Sequence, residues 1–235
     1  LKLCFNEDGS DRDGGLEALI KLHEMHEDAV SNADADPLNF GVSLEGWVYA
    51  DAMFDLYDTC LCFGGNRSGK TEYGARSVVK AAIENPNSKI LCFSQDSDSS
   101  KRVQQAAVYR YLPPEFKKKT KSSVAYLNYT AKNGFTGESF ILPNGSQVFF
   151  HTYAQFTARR GKFEGLEVGS KEATWHNVGL WLDEYLEDGD LVSTMRFRLV
   201  TRNAKMLLTF TPIDGFTPFV AEFLKGAETT LERKA

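Results

Sequence analysis

Gly64-Gly65-Asn66-Arg67-Ser68-Gly69-Lys70-Thr71 follows the pattern G-x-x-x-x-G-K-[ST]. Residues of these types at this spacing can cradle a polyphosphate. The glycines let backbone N–H groups turn inward, and the N-terminus of a following helix adds partial positive charge. Lys70 would reach the β- and γ-phosphates, and the Thr71 hydroxyl would ligate a magnesium ion. All eight residues, Gly64, Gly65, Asn66, Arg67, Ser68, Gly69, Lys70 and Thr71, are therefore candidate nucleotide contacts. A glycine-rich turn that binds nothing is the plain alternative, and the flanks weigh against it. An apolar stretch, Thr59 to Phe63, precedes the loop, and Glu72 to Ile83, with helical spacing, follows it.

A phosphate loop alone does not separate kinase, GTPase and motor ATPase. Leu180-Trp181-Leu182-Asp183-Glu184 does, because an apolar strand ends there in two carboxylates. Asp183 would hold magnesium opposite Thr71, so Thr71 and Asp183 are the candidate metal residues. Glu184 would polarise a water for in-line attack on the γ-phosphate. The plain alternative is a polar loop beginning with two acids, with Glu187, Asp188 and Asp190 beyond. A third element, Leu208-Thr209-Phe210-Thr211-Pro212, puts hydroxyls at the carboxyl end of the next apolar strand, the edge at which open α/β sheets bind ligands. Thr209 or Thr211 could there bond the catalytic water or γ-phosphate and couple hydrolysis to the rest of the domain.

The elements that must position these groups are legible as periodicities. Leu16, Leu19, Ile20 and the 22–25 stretch predict an amphipathic helix fading near Asn32. It carries His23 and His26, which read as a surface pair because two ligands do not make a metal site. A second helix is expected from about Leu44 to Tyr57, with Trp47, Ala50, Phe54 and Tyr57 on one core-facing stripe. Residues 1–57 thus read as a helical segment packing on an ATPase core of residues 58–235. Strands are predicted at Thr59–Phe63, Lys89–Ser94, Val178–Leu182 and Lys205–Phe210. A helix is predicted from Asp98 to Tyr111, stopped by Pro113-Pro114. Phe140–Leu142 and Gln147–His151 flank Pro143-Asn144-Gly145-Ser146, a hairpin signal. Apolar strands separated by helices imply an α/β fold: a mostly parallel sheet covered on both faces, with a β-hairpin insertion.

At 235 residues the chain can bury a full core, and its 42% hydrophobic and 25% charged content is ordinary for a globular protein. The net charge of −5 argues against coating nucleic acid by bulk electrostatics. Local basic clusters remain at Lys117-Lys118-Lys119-Thr120-Lys121 and Arg159-Arg160-Gly161-Lys162. A run of this kind reads either as a DNA contact or as a solvated loop. No apolar run is long enough to span a bilayer, and no secretory segment opens the chain. Of Cys4, Cys60, Cys62 and Cys92, none forms a C-x-x-C pair, so reduced core thiols in a cytosolic protein are expected. The chain begins at Leu1, as a piece of a longer protein would.

Gly64–Glu72, Leu182-Asp183-Glu184 and Thr209-Phe210-Thr211-Pro212, in this order and spacing, resemble the ATPase domain of the phage terminase large subunit. The likeness runs from about Leu44 to Phe223. It implies a P-loop NTPase of the additional-strand, catalytic-Glu type that binds ATP and Mg2+. The implied task is driving double-stranded DNA into a procapsid. Implied partners are the portal protein, the small terminase subunit and a homo-oligomeric ring, usually of five subunits. The implied place is the portal vertex in the host cytoplasm, outside the mature virion and away from membranes. In such rings one subunit's arginine completes its neighbour's site, and Arg160, with Arg159 second, is the candidate here; a DNA-facing or solvated pair is the alternative. Some members carry an arginine in the loop at the slot held here by Asn66, with Arg67 one place later. The glutamine that often reads adenine is not evident between Leu38 and Asp58, which leaves Trp47 or Tyr49 as base-stacking candidates. Full large subunits continue into a nuclease that this chain is too short to include. Competing readings are a helicase-like or recombination ATPase on cellular DNA, a nucleotide-dependent assembly protein with little turnover and, last, a small-molecule kinase.

Overall fold

The structure, a computed structural model, describes residues 15–119, 125–159, 161, 163, 165–184, 189–211, 221 and 223–226. In chain order its elements are α1 (Gly15–Ala35), α2 (Pro37–Phe40), α3 (Glu45–Leu56), β1 (Thr59–Phe63), α4 (Lys70–Glu84) and β2 (Lys89–Ser94). Next come α5 (Ser97–Ser99), a π-helical turn (Ser100–Gln104), α6 (Gln105–Tyr111), α7 (Pro114–Lys117), β3 (Tyr129–Thr130) and β4 (Gly134–Phe135). The remainder are β5 (Ser139–Ile141), β6 (Gln147–Thr152), α8 (Tyr153–Ala158), β7 (Val178–Asp183), α9 (Gly189–Val200) and β8 (Lys205–Phe210). Among the described residues six strands form one sheet in the order β1-β8-β7-β2-β6-β5. Every neighbouring pair is parallel except β5 with β6. The last strand in sequence, β8, therefore lies between the phosphate-loop strand β1 and the acid-ending strand β7. That is the additional-strand arrangement expected of this NTPase type.

Strand alternation sorts side chains onto two faces. On one face Trp181, Leu207, Cys60, Ile90 and Cys92 pack with Val78, Val79, Ala81 and Ala82 of α4, with Ala50 and Phe54 of α3, and with Val108 of α6. On the other, Leu180, Leu182, Met206, Leu208, Leu91 and Phe93 meet Phe156 of α8 and Leu191, Val192, Met195 and Leu199 of α9. Asp183 and Thr209 continue the first series, so both point toward α4 rather than α9. The segment from Ser97 to Tyr111 is helical throughout, as its spacing predicts, but it widens into a π turn at Ser100–Gln104. Gln104 Nε2 there donates to Phe93 O (3.0 Å), and Gln105 Oε1 accepts from Phe135 N (2.8 Å). Two buried amides hold the turn open.

Asn144-Gly145 turns the chain as predicted, through a Gly145 N to Leu142 O bond of 2.9 Å with Gly145 at φ +83. The hairpin is part of the central sheet, however, because β6 pairs with β2 along its whole length. The freestanding ribbon is instead the short β3–β4 pair. Asn144 Nδ2 also caps α4 by donating to Ala82 O (2.9 Å) and Ile83 O (3.0 Å). The stripe on α3 is core-facing at three of its four predicted positions, with Ala50 and Phe54 buried and Trp47 packed beside them, whereas Tyr57 lies just past the end of the helix and is half-buried. Helix α1 differs from its prediction, for Leu16, Ile20, Leu22, Met25 and Val30 remain exposed and the helix touches chiefly α2. His23 and His26 are exposed on it, and His23 faces Glu27 at 3.8 Å. No helix among the described residues is long and apolar enough to cross a membrane.

At Gly74 the helix and the sheet meet closely, since a Cβ there would overlap the fully buried Trp181 ring. Helix α4 can lie on β7 only because this position carries no side chain. Gly74→Ala is accordingly expected to cost about 2 kcal/mol by overpacking, a fall of roughly 4–8 °C in Tm. Calorimetry checks this, and an unchanged Tm would mean that the ring does not lie against α4.

Candidate nucleotide-hydrolysis site

The loop between β1 and α4 turns on two left-handed residues, Arg67 at φ +62 and Gly69 at φ +80. Gly69 caps α4, whose first residue is Lys70. It is also crowded from outside: a Cβ there would lie 2.9 Å from Leu44 Cδ1 and 3.4 Å from Trp47 Cζ2. The start of α3 thus buttresses the loop, and Asp51 clamps the same two helices by accepting from Tyr73 OH (3.0 Å) and Arg76 Nη1 (3.1 Å). Lys70 Nζ donates to Gly64 O (3.0 Å), Gly65 O (2.8 Å) and Ser68 Oγ (3.2 Å), so its ammonium group sits inside the loop it was expected to serve. Gly65, Asn66, Arg67 and Ser68 are exposed and line the outer turn.

Across from the loop, Thr71 Oγ1 donates to Asp183 Oδ1 at 3.2 Å, joining residues 112 positions apart in sequence. Asp183 is only 3% exposed. Its carboxylate also accepts from Thr209 Oγ1 at 2.7 Å, and Thr209 in turn accepts from Trp181 Nε1 at 2.8 Å. Burial pushes the Asp183 carboxyl up to about 6, opposed by the Thr209 hydrogen bond, while Glu184 nearby adds to the rise. A buried carboxylate served by hydroxyls, with Lys70 as a charged neighbour, has the hard oxygen donors that suit magnesium. Among the described residues no three His, Cys, Asp or Glu side chains gather to hold an ion by themselves. Thr71 and Asp183 are the residues that would hold such an ion.

Glu184 follows at the strand end, exposed and at φ +62, its N–H donating to Thr209 O at 2.7 Å. Tyr153 OH donates to the carbonyls of Asp183 (3.0 Å) and Glu184 (3.4 Å) from the first turn of α8. A Glu held in the left-handed region is uncommon and costs energy that these two bonds help offset. Sequence reasoning brought Lys70, Thr71, Asp183 and Glu184 to one place, and the geometry puts Thr71, Asp183 and Thr209 in direct contact. It did not anticipate Tyr153 or the indole of Trp181, whose roles arise from contacts between distant segments. The Thr209 hydroxyl lies under α4, where its register opposite Asp183 sets it between that carboxylate and the Trp181 indole. Thr211 lies just past the end of β8 and is half-buried. Arg159 is exposed at the end of α8, whereas Arg160, Pro212 and Lys121 lie outside the described residues. Tyr49 is on the surface, away from the packed position of Trp47.

The family described as terminase large subunit, T4likevirus-type, N-terminal, matches residues 61–234. That span takes in the loop, both acids and β8. The chain belongs to this terminase family. Among solved structures, a mutant of the large terminase ATPase domain from Thermus phage P74-26 aligns with a TM-score of 0.42 and 14% identity. The alignment covers 65% of this chain and 58% of that one. No curated protein sequence matches.

The raised Asp183 pKa has a consequence for folding of the terminase domain. Because the folded-state value lies above the ordinary 3.8, folding takes up a proton between about pH 4 and 6. The stability this contributes is complete below pH 4 and lost as pH rises through 6. Relative to Asp183→Asn, the wild-type chain should therefore lose about 3 kcal/mol of stability between pH 4 and pH 7. Urea unfolding of both proteins across that range measures it, and parallel curves would sink the assignment.

Proposed function

We propose that this chain is the ATP-hydrolysing motor domain of a phage terminase large subunit. The observation that carries the reading is the Thr71–Asp183 contact of 3.2 Å, made where the first turn of α4 meets the end of β7. It supports one site for phosphate, metal and water rather than two unrelated motifs. In this reading Gly64–Thr71 hold the phosphates of ATP through backbone N–H groups and the Lys70 ammonium. Thr71 and Asp183 hold Mg2+, which when bound would draw charge from the phosphate oxygens. Glu184, the exposed acid beside them, accepts a proton from the attacking water. Thr209, near the end of β8, and Thr211, just past it, report hydrolysis to the domain, Thr209 through Asp183.

Arg160, with Arg159 second, would complete a neighbour's site in a homo-oligomeric ring of about five subunits by stabilising charge on the transferred phosphoryl group. Hydrolysis would move double-stranded DNA toward the portal protein of a procapsid in the host cytoplasm, with the small terminase subunit as a further partner. The lysine run enters this picture in reduced form. Lys117 Nζ donates to Arg110 O at 2.7 Å and lies over the Tyr109 ring, so it is tied to its own helices. Lys118 and Lys119 are exposed, and Lys119 lies over the Tyr126 ring at 6.0 Å.

Glu184→Gln should lower kcat for ATP at least about 100-fold while nucleotide binding survives. Lys70→Ala should lose both, as read by phosphate release and by binding of a fluorescent ATP analogue. Wild-type turnover by Glu184→Gln would refute the catalytic assignment. If Lys118 and Lys119 touch DNA phosphates, neutralising both should reduce the log–log salt slope of duplex binding by about 2. An unaltered slope returns them to solvent.

A further inference from the structure

We infer that Trp181 is a positioning residue for the metal-binding carboxylate, acting through the hydroxyl of Thr209; this rests on the magnesium-ATP reading above. The argument is one of proton accounting. An indole nitrogen is a donor only, so the Thr209 oxygen at 2.8 Å from Trp181 Nε1 must accept there. The single hydroxyl proton of Thr209 is then free for another acceptor. Leu182 O lies 3.5 Å away and Asp183 Oδ1 lies 2.7 Å away, so the proton goes to the carboxylate. Oδ1 thereby takes a short bond from Thr209 and a longer one from Thr71, while among the described residues Oδ2 has only the 3.5 Å contact with Thr71. One carboxylate oxygen is committed within the protein and the other is left for the ion. Without the indole, the Thr209 hydroxyl could rotate and that division would blur.

The indole can act this way because of where it is held. Trp181 sits two residues before Asp183 on β7, hence on the same face, and Thr209 stands directly opposite Asp183 on β8. Gly74 of α4 leaves no room for the ring to move, since even a methyl group there would meet it. The ring is fully buried. A buried indole N–H needs an acceptor in any case, and here that acceptor is the very hydroxyl that serves Asp183. Here the nitrogen, and not only the ring, is placed.

The test separates that nitrogen from the ring. The chain has three tryptophans, so 15N-labelled protein gives three indole N–H signals. Thr209→Val should shift one of them and speed its exchange with solvent, and Thr209→Ser should leave it in place. Trp181→Phe should remove that signal. In binding of a fluorescent ATP analogue, Trp181→Phe and Thr209→Val should each raise the half-saturating magnesium concentration roughly 10-fold. The double variant should be no worse than either single one, because both break one chain. Indole signals indifferent to Thr209→Val would overturn the inference, as would additive effects or a lower Tm with unchanged magnesium dependence. Wild-type protein that binds no nucleotide at any magnesium concentration would sink the proposed function, and the positioning role with it. A normal wild-type response with an unchanged Trp181→Phe removes the positioning role alone.

Discussion

A carboxylate buried beneath the first turn of the phosphate-loop helix is the constraint around which this molecule is arranged. Asp183 is withdrawn from water almost completely, and an acid in that position is tolerated only if its oxygens are met by donors. Two hydroxyls meet it, one from α4 and one from β8. For Thr71 to reach it, α4 must start at the edge of the sheet where β7 ends. For Thr209 to reach it, β8 must lie directly beside β7 in the observed register. The strand order β1-β8-β7 and the placement of the helix therefore satisfy one local demand.

The loop itself is held from several sides, which matters because most of its outer residues are exposed. Leu44 and Trp47 press on Gly69, Asp51 ties α3 to α4 through Tyr73 and Arg76, and Gly74 lets α4 settle onto Trp181. At the far end of α4, Asn144 caps the last carbonyls from the β5–β6 turn. Asn85 continues that network, its Oδ1 accepting from the N–H groups of Thr174 (2.9 Å) and Trp175 (3.0 Å). A helix anchored at both ends on rigid strands can present its first turn at a defined height above the sheet. That is the mechanical requirement of a phosphate site.

How much was legible differs by element, and the reasons are physical. Strands β1, β2, β7 and β8 read clearly because each is an apolar run whose neighbours are polar or glycine-rich, and β7 and β8 are buried nearly throughout. Asn144-Gly145 read clearly because a residue at φ +83 is favoured by glycine. Helix α9 was missed, for Gly189-Asp190 after a run of acids looks like loop, and its apolar residues gain meaning only against β7 and β8. The π turn was invisible because it depends on Gln104 and Gln105 finding partners on β2 and β4. Thr209 was found, but its partners were not legible, since what a hydroxyl at a strand end meets depends on pairing register.

The residue types and spacing by themselves determined the chemistry: a glycine-rich loop for phosphate, a lysine and a threonine in it, two acids closing an apolar strand. Local rules suffice for these, because loop conformation, helix start and strand alternation depend on neighbours in sequence. Only the tertiary structure decided which groups touch. It set Thr71 against Asp183 across 112 positions, placed β8 between the two motif strands and turned the Thr209 hydroxyl inward to a carboxylate and an indole. Hydrogen bonds act over about 3 Å, and separations that small between distant segments are fixed by packing.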